Sequence, residues 1–168
     1  MSNSWERPKL KIPKTKSEWF WDIIGCSLYM ASILLLIFIW NQLPDKVPAH
    51  YNALGEVDRW GSKSKLLILP GMGAFIIVFM RFFEKRPELH NYPERLNESN
   101  AKQFYLLSRK MVNQIKNICL IIFVLITFES VSIALGWSGE FGVWFLPVAV
   151  ILLLTPIAAG LLKQRKIK

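Results

Sequence analysis

Residues 43–65, LPDKVPAHYNALGEVDRWGSKSK, form a polar stretch that lies between two long apolar runs. Histidine, asparagine, arginine, tryptophan and several carboxylates are concentrated in this short segment. Because both flanking runs are apolar, the stretch marks where one hydrophobic segment ends and the next begins. Specific recognition or chemistry is therefore expected in this segment.

The composition of the chain is typical of a membrane protein. Of its 168 residues, 52% are hydrophobic, and the mean hydropathy of +0.30 is high for a soluble domain. The apolar residues collect in four runs, at 22–40, 66–83, 118–137 and 143–162. Each run forms a helix of about 27–30 Å, the thickness of the hydrocarbon core of a bilayer. The predicted fold is an all-α integral membrane protein with a four-transmembrane-helix bundle, its membrane domain being residues 22–162.

The basic residues predict the orientation of this bundle. Seventeen of the 21 lysines and arginines lie before the first run, between Arg81 near the end of the second run and the start of the third, or after the fourth. The positive-inside rule places these parts in the cytoplasm, so that 1–21 and 163–168 become basic cytoplasmic tails. Segment 41–65 is then an outer loop. The net charge of +9 is assigned to contact with acidic lipid headgroups of the bilayer, and no nucleic acid is expected as a partner.

A β-hairpin is predicted within the outer loop. Pro44 and Pro48 exclude a continuous helix and favour extended neighbours. Gly55 can take the positive φ that a short hairpin loop requires. The expected register puts Asn52 opposite Glu56.

That register has consequences for the side chains. Tyr51 would face Val57, and His50 would face Asp58. By alternation, His50, Asn52, Glu56 and Asp58 share one face, whereas Tyr51, Val57 and Arg59 share the other.

The loop between the second and third runs contains a second periodic segment. Residues 97–117 are expected to form an amphipathic helix that continues into the third span, with an interfacial helix on anionic lipid as the alternative. Its apolar stripe is Phe104, Leu107, Met111, Ile115 and Ile118, and most of its basic residues fall outside that stripe.

Pro147 and Pro156 are expected to interrupt the fourth span. Cys26 and Cys119 are predicted to be buried free thiols.

Two sets of residues could carry chemistry. Glu129 is an ionisable group inside the third span, where it is costly, and a structural or site-supporting role is favoured over an ion pathway. His50, Glu56 and Asp58 have metal-ligand chemistry, with His50 and Asp58 the candidate ligands. Catalytic zinc usually has three protein ligands, however, so a hydrogen-bonded pair of His50 and Asp58 is favoured. The pair could act as a general base, but no serine or cysteine nucleophile stands beside it in a recognisable motif, and enzymatic activity is not indicated.

The pattern LPDKVPAHYN followed by GEVDRWGSK resembles a bacterial membrane domain of unknown function that also forms the N-terminal part of Sdp-type bacteriocin immunity proteins. The resemblance covers roughly 23–83. It implies a multispanning protein of the bacterial cytoplasmic membrane and, in the best understood relatives, protection against a secreted toxic peptide together with sequestration of a cytoplasmic repressor. Four spans are predicted for this chain, whereas those immunity proteins have more. The characteristic positions are Pro44, Pro48, His50, Asn52, Gly55, Asp58, Gly61 and Lys63.

The leading functional hypothesis is a non-enzymatic membrane protein of immunity or signalling type. Its outer motif would bind a peptide, a lipid or another membrane protein, with Glu56 and Arg59 joining the characteristic residues as binding positions. One alternative is a membrane enzyme or metal-binding protein that uses His50, Glu56 and Asp58, with Glu129 as a further candidate. The other is an accessory subunit of a transporter. No cofactor is predicted.

Overall fold

A computed structural model of the chain describes residues 6–137 and 141–167. Residues 1–5 and Lys168 of the predicted tails, and residues 138–140 of the predicted loop between the third and fourth spans, lie outside this part. The element order is α1 Lys16–Ile39, β1 Lys46–Tyr51, β2 Val57–Ser62, a 3₁₀ helix at Lys63–Leu67, α2 Ile68–Lys85, a short 3₁₀ turn at Pro87–Leu89, α3 Ala101–Ala134 and α4 Phe145–Arg165. The prediction of a mainly helical fold with one two-stranded antiparallel sheet is confirmed.

Within 6–137 and 141–167, four helical segments are long and apolar enough to cross a membrane, namely Lys16–Ile39, Lys63–Lys85, Ala101–Ala134 and Phe145–Arg165. Many of their apolar side chains face outward, including Phe38, Phe75, Val78 and Ile151. Exposed apolar area on this scale is typical of a surface that meets lipid. The chain therefore has the composition and helix lengths of a multi-pass membrane protein.

Helix α3 is the central helix, since it packs against α1, α2 and α4. It is continuous from Ala101 and ends where Gly136 takes a φ of 72°, a conformation that favours glycine at a helix C-terminus. The expected apolar stripe is only in part the buried face, since Phe104 and Ile118 are buried. Leu107, Met111 and Ile115 are only half-buried, whereas the inward face carries Phe104, Tyr105, Ser108, Arg109, Asn113, Lys116 and Asn117.

The prediction that Pro147 and Pro156 interrupt the fourth span is wrong. Helix α4 runs through Pro156 without a break. Pro147 lies in the first turn, where the missing N–H would have no helical acceptor. Neighbouring helices make an interior proline tolerable in an apolar helix, and Pro156 is buried.

The N-terminal segment, the loop before α3 and the end of α4 meet at the end of the molecule opposite the hairpin. Arg7 donates to the carbonyl oxygens of Glu88 and His90, at 3.2 and 2.7 Å. Arg95 donates to the carbonyl oxygens of Gln164 and Ile167. The described part of the predicted N-terminal tail thus contacts the rest of the chain, through Arg7 and also through Ile12, Pro13 and Lys14.

His90 lies in this packed loop as a neutral imidazole. Its Nδ1 is 2.6 Å from Ser108 Oγ, and its Nε2 is 3.1 Å from the Phe83 carbonyl oxygen. Burial lowers the pKa of His90 below its ordinary value, against smaller opposing effects of the Phe83 carbonyl and the Glu88 carboxylate. The folded state thus disfavours the charged imidazole.

Acidification is therefore expected to destabilise this end of the protein. The unfolded chain takes up the proton near pH ~6.5, before the folded chain does, so stability is complete above that pH and falls as the pH drops toward the lower folded-state pKa. Unfolding of the purified protein in detergent, measured by circular dichroism between about pH 7.5 and pH 5, checks this. The variant His90→Gln should depend less on pH than the wild type, and an equal dependence would contradict the assignment.

Candidate functional site

The hairpin is fixed to the helices at its base. Val47 is completely buried in a cluster with Leu36, Leu43, Leu66 and Val131, which joins α1, the sheet, the 3₁₀ helix and α3. Burial of such side chains stabilises the contact by roughly 1.5–3 kcal/mol each. The two prolines of the predicted motif differ in burial: Pro48 is buried, whereas Pro44 is exposed.

The tip of the hairpin is organised by Asn52. Its Oδ1 accepts the backbone N–H groups of Leu54 and Glu56, and its Nδ2 donates to Glu56 Oε2 at 2.8 Å. The predicted pairing of Asn52 with Glu56 is present in the backbone as well, at 2.9 Å. Gly55 has the predicted positive φ, 81°, and a Cβ there would come within 2.6 Å of the Gly142 carbonyl oxygen. The tip thus needs glycine for its conformation and for its contact with the segment before α4.

The register differs from the expected one between the tip and the base. Tyr51 lies opposite Val57 as predicted, but His50 lies opposite Arg59 rather than Asp58. Irregularities on both strands shift the pairing by one residue, as β-bulges do. The side chains of His50 and Asp58 still meet, with Nδ1 and Oδ1 2.6 Å apart, because the shift leaves Asp58 beside His50.

The predicted binding positions are therefore brought together only in part. The side chains of His50 and Asp58 are 53% and 41% exposed. Arg59 is exposed on β2, and Gly61 lies against Ala49 of β1. Lys63 places its ammonium group 5.5 Å from the centre of the Trp40 ring, so its contact is within the fold.

The metal-site alternative gains no geometric support. Glu56 is bonded to Asn52 and does not join the pair of His50 and Asp58. Across residues 6–137 and 141–167, no group of three or more histidine, cysteine or acidic side chains is placed to hold one metal ion.

Glu129 is half-buried in α3, and the described residues include no hydrogen bond to its carboxylate. Cys26 and Cys119 are free as predicted, although half-buried rather than buried.

Tyr51 connects the hairpin to the central helix. Its hydroxyl lies 2.8 Å from Ser130 Oγ, and its ring packs edge-on against Phe141. Clefts of about 280 and 290 Å³ lie on its two sides, and both are lined by Ile126 of α3. The β1 side of the hairpin therefore lies over the helices, and β2 is the outer strand.

A second polar site, absent from the sequence-based prediction, lies between the helices at the opposite end. We call it the buried charge network and define it as Glu18, Asp22, Glu84, Arg109, Asn113, Lys116 and Asn117. Each of these residues is less than 9% exposed. The sequence-based prediction places Glu18 in the N-terminal tail, Asp22 at the start of the first span, and Arg109, Asn113, Lys116 and Asn117 in the helix at 97–117.

Lys116 is at the centre of the buried charge network. Its Nζ donates to Asp22 Oδ1 at 2.8 Å and to Glu84 Oε1 at 2.6 Å, which joins α3 to both α1 and α2. Asn113 Nδ2 donates to the same two carboxylates, and Asn117 Nδ2 donates to Asp22. Asn117 also fills the space over Gly25, where a Cβ would lie 2.2 Å from its Oδ1.

Arg109 extends the buried charge network to the N-terminal segment. Its Nε and Nη2 donate to the two oxygens of Glu18, at 2.7 and 3.0 Å. The same guanidinium donates to the carbonyl oxygens of Ile12 and Pro13. A periodic signal for this site exists in the sequence, because Arg109, Asn113 and Lys116 recur at four- and three-residue steps, as neighbours on one helix face do.

Comparison with known proteins bears on the first part of the chain, which holds α1, the hairpin and the start of α2. Residues 28–74 match the family described as Domain of unknown function (DUF1648). This range lies within the 23–83 region of the resemblance. The family description names no activity, and no comparison bears on bacteriocin immunity.

The chain is also 33% identical over 86 residues to an uncharacterized protein of Archaeoglobus fulgidus. The match covers 44% of this chain and 45% of that protein, so the chain spans less than half the length of this relative. Because the relative is archaeal, the similarity is not restricted to bacterial proteins. No solved structure matches this chain.

Proposed function

We propose that this chain is a non-enzymatic multi-pass protein of the cytoplasmic membrane that binds an extended peptide segment along the outer strand of its hairpin. Both termini would lie in the cytoplasm and the hairpin outside, as the distribution of lysine and arginine predicts. The segment would belong to a secreted peptide or to another membrane protein. Binding of a secreted peptide would be an immunity function, and binding of another membrane protein would be a signalling function.

The open edge of β2 is the observation that carries this proposal. The sheet has two strands, and β1 lies against α3 and the 3₁₀ helix. The other edge of β2 therefore has no neighbouring strand in the part of the chain that the structure describes. An exposed edge can pair with an added strand through main-chain hydrogen bonds.

The side chains of β2 suit this role. Both Trp60, which is 50% exposed, and Arg59, which is also exposed, lie on this short polar strand. Tryptophan and arginine are enriched among the residues that dominate binding energies at protein interfaces. The half-exposed pair of His50 and Asp58 lies beside them and supports the local shape of the strand.

Photo-crosslinking in native membranes tests the proposal. With a photoreactive amino acid at position 60, we expect adducts with a peptide or protein, identified by mass spectrometry. The matched control has the same amino acid at position 82, because Phe82 is also about half exposed but lies on an apolar helix. The double variant His50→Ala with Asp58→Ala should lower adduct formation at position 60 by about tenfold. The variant should remain folded, since exposed ion pairs contribute only about 0–1 kcal/mol.

Two results would contradict binding at the hairpin. The first is the same set of adducts from positions 60 and 82. The second is adduct formation at position 60 that does not change in the double variant.

A further inference from the structure

A cavity of about 600 Å³ lies at the end of the molecule opposite the hairpin, between the N-terminal segment and the C-terminal part of α2. The N-terminal segment forms one wall through residues 10–14. Arg81, Glu84 and Lys85 of α2 contribute to the walls as well, together with Arg109 of α3. The cavity thus adjoins the buried charge network without being filled by it.

The walls carry an excess of positive charge. The cationic residues are Lys11, Lys14, Arg81, Lys85 and Arg109, and the acidic residue among the lining residues is Glu84. Glu84 is buried and already paired with Lys116. Its charge is therefore not available to balance the cations that face the cavity.

The cations differ in how far they are neutralised. Lys14 is paired with Asp22, and Arg109 is paired with Glu18. Arg81 is half-exposed, and its Nη1 lies 3.9 Å from the nearest carboxylate oxygen, on Asp22. Lys11 and Lys85 take part in no ion pair within 6–137 and 141–167. Two positive charges at this cavity, those of Lys11 and Lys85, thus have no counterion among the described residues, and Arg81 has only a long contact with a carboxylate that Lys14 and Lys116 already bind.

One buried donor also remains unused. Arg109 is 6% exposed, and it has five N–H donors. Four are engaged by Glu18 and by the carbonyl oxygens of Ile12 and Pro13. The remaining N–H on Nη1 has no acceptor among the described residues, although the residue lines the cavity.

We propose that this cavity binds a phosphate group, and that the phosphate belongs to the headgroup of an anionic phospholipid. A phosphate offers several acceptor oxygens and a negative charge to arginine and lysine donors. Leu10, Ile12, Pro13 and Pro87 supply apolar walls for the glycerol part of a headgroup. The exposed rings of Phe79 and Phe82 flank Arg81 in the sequence and give an acyl chain an apolar surface.

The test uses the full-length protein, delipidated in a mild detergent. One arm measures binding of phosphatidylglycerol in mixed micelles, with phosphatidylcholine for comparison, by native mass spectrometry. The other arm measures binding of water-soluble glycerol phosphate. We expect saturable binding of phosphatidylglycerol, at least tenfold tighter than that of phosphatidylcholine or glycerol phosphate.

Matched variants locate the site. Arg81→Gln with Lys85→Gln should weaken binding of phosphatidylglycerol by about tenfold or more, whereas Lys102→Gln with Lys166→Gln should change it less than about twofold. Both variants lose two positive charges, but Lys102 and Lys166 are exposed and do not line the cavity. If the first pair fails to fold, Arg81→Lys with Lys85→Arg replaces it, and this charge-conserving variant should keep the preference for phosphatidylglycerol over phosphatidylcholine.

Three results would overturn the proposal. Equal weakening in both glutamine variants would indicate a diffuse charge effect, and unchanged binding in the cavity variant would exclude this cavity. Binding of glycerol phosphate as tight as that of phosphatidylglycerol would assign the site to a soluble phosphate. The proposal is independent of the hairpin, so peptide binding at β2 can fail while this site stands.

Discussion

Replacement of Lys116 by methionine is expected to lower the free energy of unfolding by about 3–5 kcal/mol, the usual cost of removing one partner from a buried ion pair. Lys116 is 1% exposed and donates to both Asp22 and Glu84. Methionine keeps most of the side-chain volume, so the loss reports on charge rather than on a cavity. Without Lys116, Glu84 retains its bond from Asn113 Nδ2 but has no ion pair with another of the described residues.

Unfolding in mixed micelles by added denaturing detergent measures this loss. Lys102→Met is the control, because Lys102 lies near the start of the same helix but is exposed, and its replacement should cost less than about 0.5 kcal/mol. Adding Asp22→Asn and Glu84→Gln to Lys116→Met should restore most of the stability, since both carboxylates that lost Lys116 are then neutral and Lys14, left without Asp22, is partly exposed. A loss below about 1 kcal/mol in Lys116→Met would show that the two carboxylates find other partners.

Replacement of Arg109 by lysine is expected to cost about 2–4 kcal/mol and to release the N-terminal segment. The guanidinium bonds both oxygens of Glu18 and two backbone carbonyl oxygens at once. The ammonium group of lysine keeps the charge but cannot reproduce this planar fork. The carbonyl groups of Ile12 and Pro13 would lose their donor, and the segment would keep only its remaining contacts, such as the ion pair of Lys14 with Asp22.

Limited trypsin digestion measures the release. Cleavage after Lys11 and Lys14 should be about tenfold faster in Arg109→Lys than in the wild type, since proteolysis follows the population of the locally opened state. Lys110→Arg is the matched control, because it alters the adjacent residue, which lies outside the buried charge network. Equal rates of cleavage in Arg109→Lys and wild type would mean that other contacts, such as that of Arg7 with the His90 carbonyl, hold the segment.

The two ends of the molecule have different physical designs. At the hairpin, most polar groups are exposed and their pairs contribute little to stability, so residues can serve recognition without a large effect on folding. At the opposite end, charges are buried between helices and are costly unless each is paired. Substitutions should therefore affect binding at the hairpin and stability in the buried charge network.

The sequence alone was sufficient for the features that depend on local pattern. The apolar runs predicted four long helices because a run of this length cannot stay in water as a loop. Gly55 predicted the turn of the hairpin because a short loop between two strands needs a residue with positive φ, and glycine adopts that conformation readily. The meeting of His50 and Asp58 also followed from the short distance between them along the hairpin.

The tertiary structure alone decided which faces meet. The bulges shift the pairing so that His50 lies opposite Arg59, and strict two-residue alternation, from which the register was predicted, contains no signal for them. The buried face of α3 is predicted only in part, because hydrophobic periodicity identifies Phe104 and Ile118 but treats Arg109 and Lys116 as solvent-facing. Their burial is possible only because Glu18, Asp22 and Glu84 arrive from other helices, and pairing between distant segments is a property of the packed chain.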